Sequence, residues 1–262
     1  MGIQETIQES RRLHETNHTK DAVRVLSEAL AQTPNDQLYF QRGRLFAFLN
    51  ELEAADDDYS NAIKLAPSVS RYWLIRGKLR ASYSYVGDAI DDLTMASFCD
   101  RTDAYPHQLL SILYLICKRR DRAFMHARKS LLLCSSDAMS WYCMGKCYFS
   151  IDNFESAAER FEKAVTLDSG SAEYWSMLAL TYRKMKRLRD ASKCYEEAEK
   201  FDQSAHTLIR HAEVYLDLGK PDEAIRYLDL AQAHTPADWE QTLIDFYSLL
   251  AKAKKEGASE SE

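Results

Sequence analysis

Cys143 and Cys147 have the spacing most suggestive of metal chemistry, since residues four apart share one face of a helix. A metal site would need two further ligands converging on them. No Cys-x-x-Cys or paired-histidine element accompanies the pair, so small buried thiols are the expectation. The seven histidines are scattered along the chain. No Ser, His and acid order, Gly-rich phosphate loop or His-Glu-x-x-His run is present. On this reading there are no catalytic, cofactor-binding or metal-ligating residues, no small-molecule substrate is expected, and an enzyme is disfavoured.

Charge gives more definite signals. Acidic residues gather at Glu51, Glu53, Asp56, Asp57, Asp58, Asp88, Asp91 and Asp92. Basic ones gather at Lys118, Arg119, Arg120 and Arg122, and again at Arg183, Lys184, Lys186, Arg187 and Arg189. Such runs usually mark solvated helix faces or turns. Their segregation along one chain also suggests a dipolar edge that could orient a partner. A formal net charge of -6 argues against a general nucleic-acid binder.

The elements that position these residues follow from the composition and from a repeat. Only 8 Gly and 5 Pro in 262 residues favour helix over sheet, and 46% hydrophobic with 28% charged residues suits a chain that buries a core. Residues 1–20 hold no apolar run, and Leu109 to Cys117 is too short to cross a bilayer, so neither a membrane span nor a secretory signal is expected. Six cysteines without a disulfide framework suggest reduced thiols and a cytoplasmic setting, or a nuclear one. Seven segments align through Ala22, Ala55, Ala89, Ala123, Ala157, Ala191 and Ala224, spaced 33 or 34 residues apart. With this column set at position 20, position 8 is small throughout (Ser10, Gly43, Gly77, Ser111, Gly145, Ala179, Ala212). So is position 27 (Ala29, Ala62, Ala96, Ser130, Ala164, Ala198, Ala231). Large residues recur at position 4, as in Trp73, Trp141 and Trp175, and at position 11, as in Phe46, Tyr148 and Tyr182.

The most regular copy, residues 138–171, carries Trp141, Gly145, Tyr148, Ala157, Phe161 and Ala164 at the points where a two-helix, 34-residue unit needs bulk or close approach. The chain thus resembles the tetratricopeptide repeat family. That resemblance implies an all-α, right-handed solenoid of about seven repeats close to one superhelical turn, over residues 3–35, 36–69, 70–103, 104–137, 138–171, 172–204 and 205–238. A capping helix is expected over 239–255, with Trp239, Leu243, Phe246, Tyr247 and Leu250 covering the last repeat. Residues 256–262 read as a disordered acidic tail beyond a single domain of 1–255. The fourth repeat departs most, because QLLSILYLICKRRDR is apolar on nearly all sides before turning basic. It suits either the buried middle of a solenoid or a docked partner.

In the resembling family, first-helix residues near positions 2, 5, 9 and 12 line a concave groove that holds segments of other proteins. Here those positions supply Phe40, Arg44, Arg71, Leu74, Lys78, Tyr105, Met139, Tyr142, Lys146 and Phe149, with Arg11 at position 9 of the first repeat. Basic and apolar residues alternate along this wall. The expected partner is therefore an acidic protein segment with apolar anchors, held by a scaffold or adaptor. The family's carboxylate clamp for heat-shock protein C-termini is not matched in three consecutive repeats, which makes a co-chaperone the weaker alternative. A structural subunit embedded in a large assembly is the other.

Overall fold

The computed structural model describes residues 2–83, 85–234 and 236–259. Among them are fifteen helices and no strand. Fourteen form seven helical hairpins: α1 (Ile3–Glu15) with α2 (Thr19–Gln32), α3 (Asp36–Phe48) with α4 (Leu52–Leu65), α5 (Ser70–Ser82) with α6 (Val86–Cys99), α7 (Tyr105–Ile116) with α8 (Arg120–Leu133), α9 (Ala138–Phe149) with α10 (Phe154–Leu167), α11 (Ala172–Lys184) with α12 (Leu188–Glu199), and α13 (Ala205–Asp217) with α14 (Pro221–Ala233). Helix α15 (Asp238–Ser259) follows. The chain is an all-α solenoid of hairpin repeats. Its packing divides into two compact units after Leu133, where the sequence leads one to expect a single body. The first unit holds α1 to α8, the second α9 to α15.

The repeat register explains why these segments pair. All seven members of the alanine column are fully buried. At position 8 the absence of bulk lets the second helix lie close. A Cβ on Gly43 would stand 2.8 Å from the Tyr59 ring, and one on Gly145 would stand 2.6 Å from the Phe161 ring. Tyr59 and Phe161 both sit at position 24 and are buried, so a small residue on one helix is matched by a ring on its partner. Position 27 is buried in six repeats, and Ala29 of the terminal repeat is the exception. Between the two helices, position 15 takes a left-handed conformation in Asn17, Asn50, Lys118, Asp152, Lys186 and Gly219, with φ between 57° and 72°. In these six hairpins this one residue turns the first helix back onto the second.

In the first unit, Ile7, Leu26, Leu30, Leu38 and Leu45 make one core, and Phe40, Tyr59, Ile63 and Tyr72 make the next. Arg42 at position 7 forks onto Asp58 at position 23 with both bonds at 2.8 Å, and its third nitrogen reaches Ser27 Oγ in the preceding repeat. One repeat later, Arg76 does the same with Asp92 and Ser60. Arg80 stands where five of the other six repeats hold an aromatic ring and bridges Asp56 to Asp92. Part of the acidic run is therefore core, with Asp58 and Asp92 both buried, rather than a solvated face.

In the second unit, Tyr142, Phe161, Tyr174, Leu178, Tyr182 and Tyr195 form the main core, and Leu208, Ile209, Leu228 and Ile244 form the terminal one. Helix α15 covers the last hairpin with a face rotated from the expected one, keeping Leu243 and Tyr247 of the expected five and adding Ile244 and Ala251. Ile244, Ala251 and the partly buried Leu243 and Tyr247 turn inward. Trp239, Phe246, Leu249 and Leu250 stay exposed, the first three by more than half. At 100° per residue, Ile244 and Ala251 two turns apart define the inner stripe, and the Lys254 ammonium fixes it by donating to the Leu216 carbonyl at 2.9 Å. The helix runs to Ser259, past the expected end at 255, so 256–259 are helical. The rest of the expected tail, 260–262, lies outside the described residues.

Candidate functional site

In the first unit, a cavity of about 370 Å³ opens between the first helices of repeats 1 and 2. It is lined by Ser10, Arg11, His14, Glu15, Gln41, Arg44, Leu45 and Phe48. Arg11 and Arg44 occupy position 9 of their repeats and are exposed. Arg44 donates only to the Gln41 side chain, at 3.3 Å, and among the described residues no carboxylate pairs with either guanidinium. Phe48 is 67% exposed and meets the His14 ring edge-on at 4.7 Å. The His14 ring is held by Thr19, with Nδ1 3.0 Å from the hydroxyl. Two cations without an ion pair, against the single carboxylate of Glu15 in the same lining, leave the cavity net positive beside an exposed ring, the chemistry to hold an acidic group next to an apolar one. Sequence reasoning missed Phe48 because position 13 lies outside the columns considered. The signal was present, since only Phe48 and Ile116 are large and apolar there.

The other expected wall residues fall into two classes. Arg71 is exposed and its guanidinium lies 5.1 Å from the Phe40 ring centre, while the exposed Lys78 ammonium lies 5.3 Å from that of Tyr105. Leu74 and Tyr105 are half-buried. Phe40 itself is buried, packed between Tyr59 and Tyr72, so it is a core residue rather than a free anchor. In the second unit Lys146 covers the Tyr142 ring at 5.2 Å. Tyr142 is 1% exposed and its hydroxyl donates to Glu173. Burial and that bond drive its pKa well above the ordinary tyrosine value. Its expected role as a binding anchor is therefore corrected to a core one. Met139 accepts from the Tyr174 hydroxyl at 3.6 Å, and Phe149 meets Phe154 edge-on at 5.4 Å. Both are half-buried.

The basic runs also divide. Arg183 is tied to Glu213 and Asp217, and Arg187 to Asp190 and the face of Tyr182, so two of the five sixth-repeat cations are neutralised, while Lys184, Lys186 and Arg189 are exposed with no described carboxylate partner. In the fourth repeat, Lys118, Arg119 and Arg120 are exposed, and no described carboxylate pairs with them.

Histidines scattered in the sequence meet in space. His107 Nδ1 lies 2.9 Å from His126 Nδ1 within the fourth repeat. His211 places Nε2 2.9 Å from Ser192 Oγ and Nδ1 2.5 Å from Glu199. That is a hydroxyl, imidazole and carboxylate in line, from three positions that the sequence reading did not single out. It lies in a packed interior. His211 is fully buried among the rings of Tyr195, Tyr215 and Tyr227, and Ser192 is 7% exposed, so a substrate carbonyl could not reach the hydroxyl. The trio satisfies buried polar groups between repeats 6 and 7. Cys143 and Cys147 are both fully buried, and burial raises the Cys143 thiol far above its usual range. Among the described residues no group of three metal-binding side chains converges, and no helix is long and apolar enough to cross a membrane.

Residues 36–69, the second hairpin, match the family model described as a tetratricopeptide repeat. The chain is built of tetratricopeptide repeats. A second family model, described as anaphase-promoting complex, cyclosome, subunit 3, matches residues 151–231 of the same repeat array. The curated tetratricopeptide repeat-containing protein trd-1 of Caenorhabditis elegans is 24% identical over 179 residues, which is 68% of this chain but only 22% of that protein's length. Among solved structures, a tetratricopeptide repeat protein from Parabacteroides merdae superposes with a TM-score of 0.77 at 14% identity, over 95% of this chain and 98% of that one. The Cut9–Hcn1 hetero-tetramer of the anaphase-promoting complex gives 0.74 at 18% identity, over 94% of this chain and 49% of that one. At such identities these similarities concern the fold.

Proposed function

We propose that this repeat array is a non-enzymatic scaffold or adaptor that holds a segment of a partner protein against the first helices of repeats 1 and 2. The observation that carries the reading is the cavity where Arg11 and Arg44 stand without carboxylate partners beside the exposed Phe48. An acidic segment with an apolar anchor fits it. In a chain of net charge -6 such a patch attracts acidic ligands locally while the rest of the surface repels them, which favours orientation and speed of encounter. The cations at Arg71 and Lys78, held over aromatic rings, would extend the same surface within the first unit. A cytoplasmic or nuclear setting fits six cysteines free of disulfides.

Selection from a displayed library of random 16-residue peptides tests this. Selected sequences should combine Asp or Glu with a large apolar residue, and Arg44→Glu or Phe48→Ala should weaken them about tenfold. Peptides indifferent to both substitutions would contradict the assignment. A second reading, a structural subunit covered by an assembly, is favoured by the exposed Trp239, Phe246 and Leu249 of α15. The similarity to the subunit 3 model and to the Cut9–Hcn1 chain is consistent with it.

A further inference from the structure

We propose that the outward face of α8 is a second docking surface, and that its occupant is an acidic amphipathic helix of a partner protein. The surface is identified by register. Positions 22 and 29 on the second helix are exposed in every repeat, whatever residue occupies them. In the other repeats at least one of the two is charged, as with Asp57 and Lys64 in the second repeat or Glu159 in the fifth. Only in the fourth are both large and apolar, as Met125, 57% exposed, and Leu132, 75% exposed.

Between them on the same face lie Arg128 and Lys129, both exposed, and no described carboxylate pairs with either. Exposed cations elsewhere are often neutralised by a neighbour, as Arg24 is by Asp21 and Lys200 by Glu197. A solvated face would have no use for this combination, since it leaves unpaired charge and apolar area uncovered together.

The chemistry selects the occupant. Met125 and Leu132 are seven residues apart, two helical turns or about 10.5 Å, so a second helix laid along α8 meets both with its own i and i+7 residues. Arg128 and Lys129 between them call for carboxylates. An anionic membrane would answer the charge. However, helices that lie on membranes bury a broad continuous apolar face, whereas α8 offers two exposed apolar side chains with two cations between them. This surface is independent of the cavity at Arg11 and Arg44 and does not rest on that reading.

The test uses the full chain and a fluorescein-labelled 18-residue helical peptide rich in glutamate, with two leucines seven residues apart. Fluorescence anisotropy should report binding that falls about tenfold with Met125→Ser plus Leu132→Ser, and about tenfold with Arg128→Glu plus Lys129→Glu. Replacing the peptide leucines with alanine should weaken it similarly, while Arg44→Glu should change it less than twofold. All four α8 positions are exposed, so the variants should keep the wild-type circular dichroism and melting. Wild-type affinity in both α8 variants would overturn the proposal. So would stronger binding to phosphatidylserine vesicles than to the peptide, which would make the occupant a membrane. Sedimentation showing a dimer that Met125→Ser plus Leu132→Ser dissolves would overturn it in favour of a second copy.

Discussion

Tyr142 illustrates how a side chain's spacing and its role can part company. Position 5 placed it on the candidate wall, yet it packs against Phe161 and Tyr174 and gives its hydroxyl proton to Glu173. Tyr142→Ala should therefore destabilise the fold by about 3 to 5 kcal/mol, as truncation of other buried aromatics does, and urea denaturation would measure it. Unchanged stability with weakened peptide binding would restore the anchor role. At Ala157, fully buried in the alanine column, leucine should overpack the contact between helices and cost about 1 to 3 kcal/mol by the same assay. His126 makes a pH prediction. Burial, with His107 and Arg122 adding to it, lowers its pKa to about 4. An unfolded chain takes up that proton near pH 6.5 and the folded one does not, so stability should be full above pH 6.5 and fall as pH drops towards 4. Thermal melts across that window should show the slope, and His126→Gln should flatten it. A melting temperature constant from pH 7 to 4.5 would contradict the burial of the pair.

At the scale of the element, the hairpins were legible in the sequence because a repeat states its own period. Small residues at positions 8, 20 and 27 mark where helices touch, and the columns predicted all fourteen repeat helices. What sequence did not give is the partner of each charge and the rotation of a lone helix. Asp58 reads as a surface charge, yet Arg42, sixteen residues away, clamps it and reaches Ser27 of the previous repeat. Helix α15 has apolar residues on two faces, so periodicity alone could not choose between Phe246 and Ile244. Removing one member of a buried pair leaves a charge unanswered. Asp92→Ala should cost about 3 to 5 kcal/mol, since it strips both Arg76 and Arg80, and equilibrium unfolding would register it. Truncation after Pro236 should uncover the apolar surface now lying against Ile244 and Ala251 and cause aggregation visible by light scattering. A monodisperse truncated chain would show that α15 has another role.

At the scale of the molecule, the surfaces that stand apart from the repeat pattern include the cavity at Arg11, Arg44 and Phe48 and the outer side of α8. Regular repeats of this type bury their rings and satisfy many of their charges, so the places where cations and apolar side chains remain unanswered are where a partner is expected. The candidate wall was legible only as a set of columns, because burial decides which members are free, and burial depends on neighbours two helices away. The most direct measurement places a photo-crosslinking residue at position 48 in the full chain, with Leu132 as a second site, and sequences the captured segments in native extract by mass spectrometry. The account predicts that position 48 captures a reproducible acidic segment with a large apolar residue, and that Arg44→Glu abolishes the capture. Efficient capture at position 132 with none at 48, or capture at 48 that survives Arg44→Glu, would contradict it.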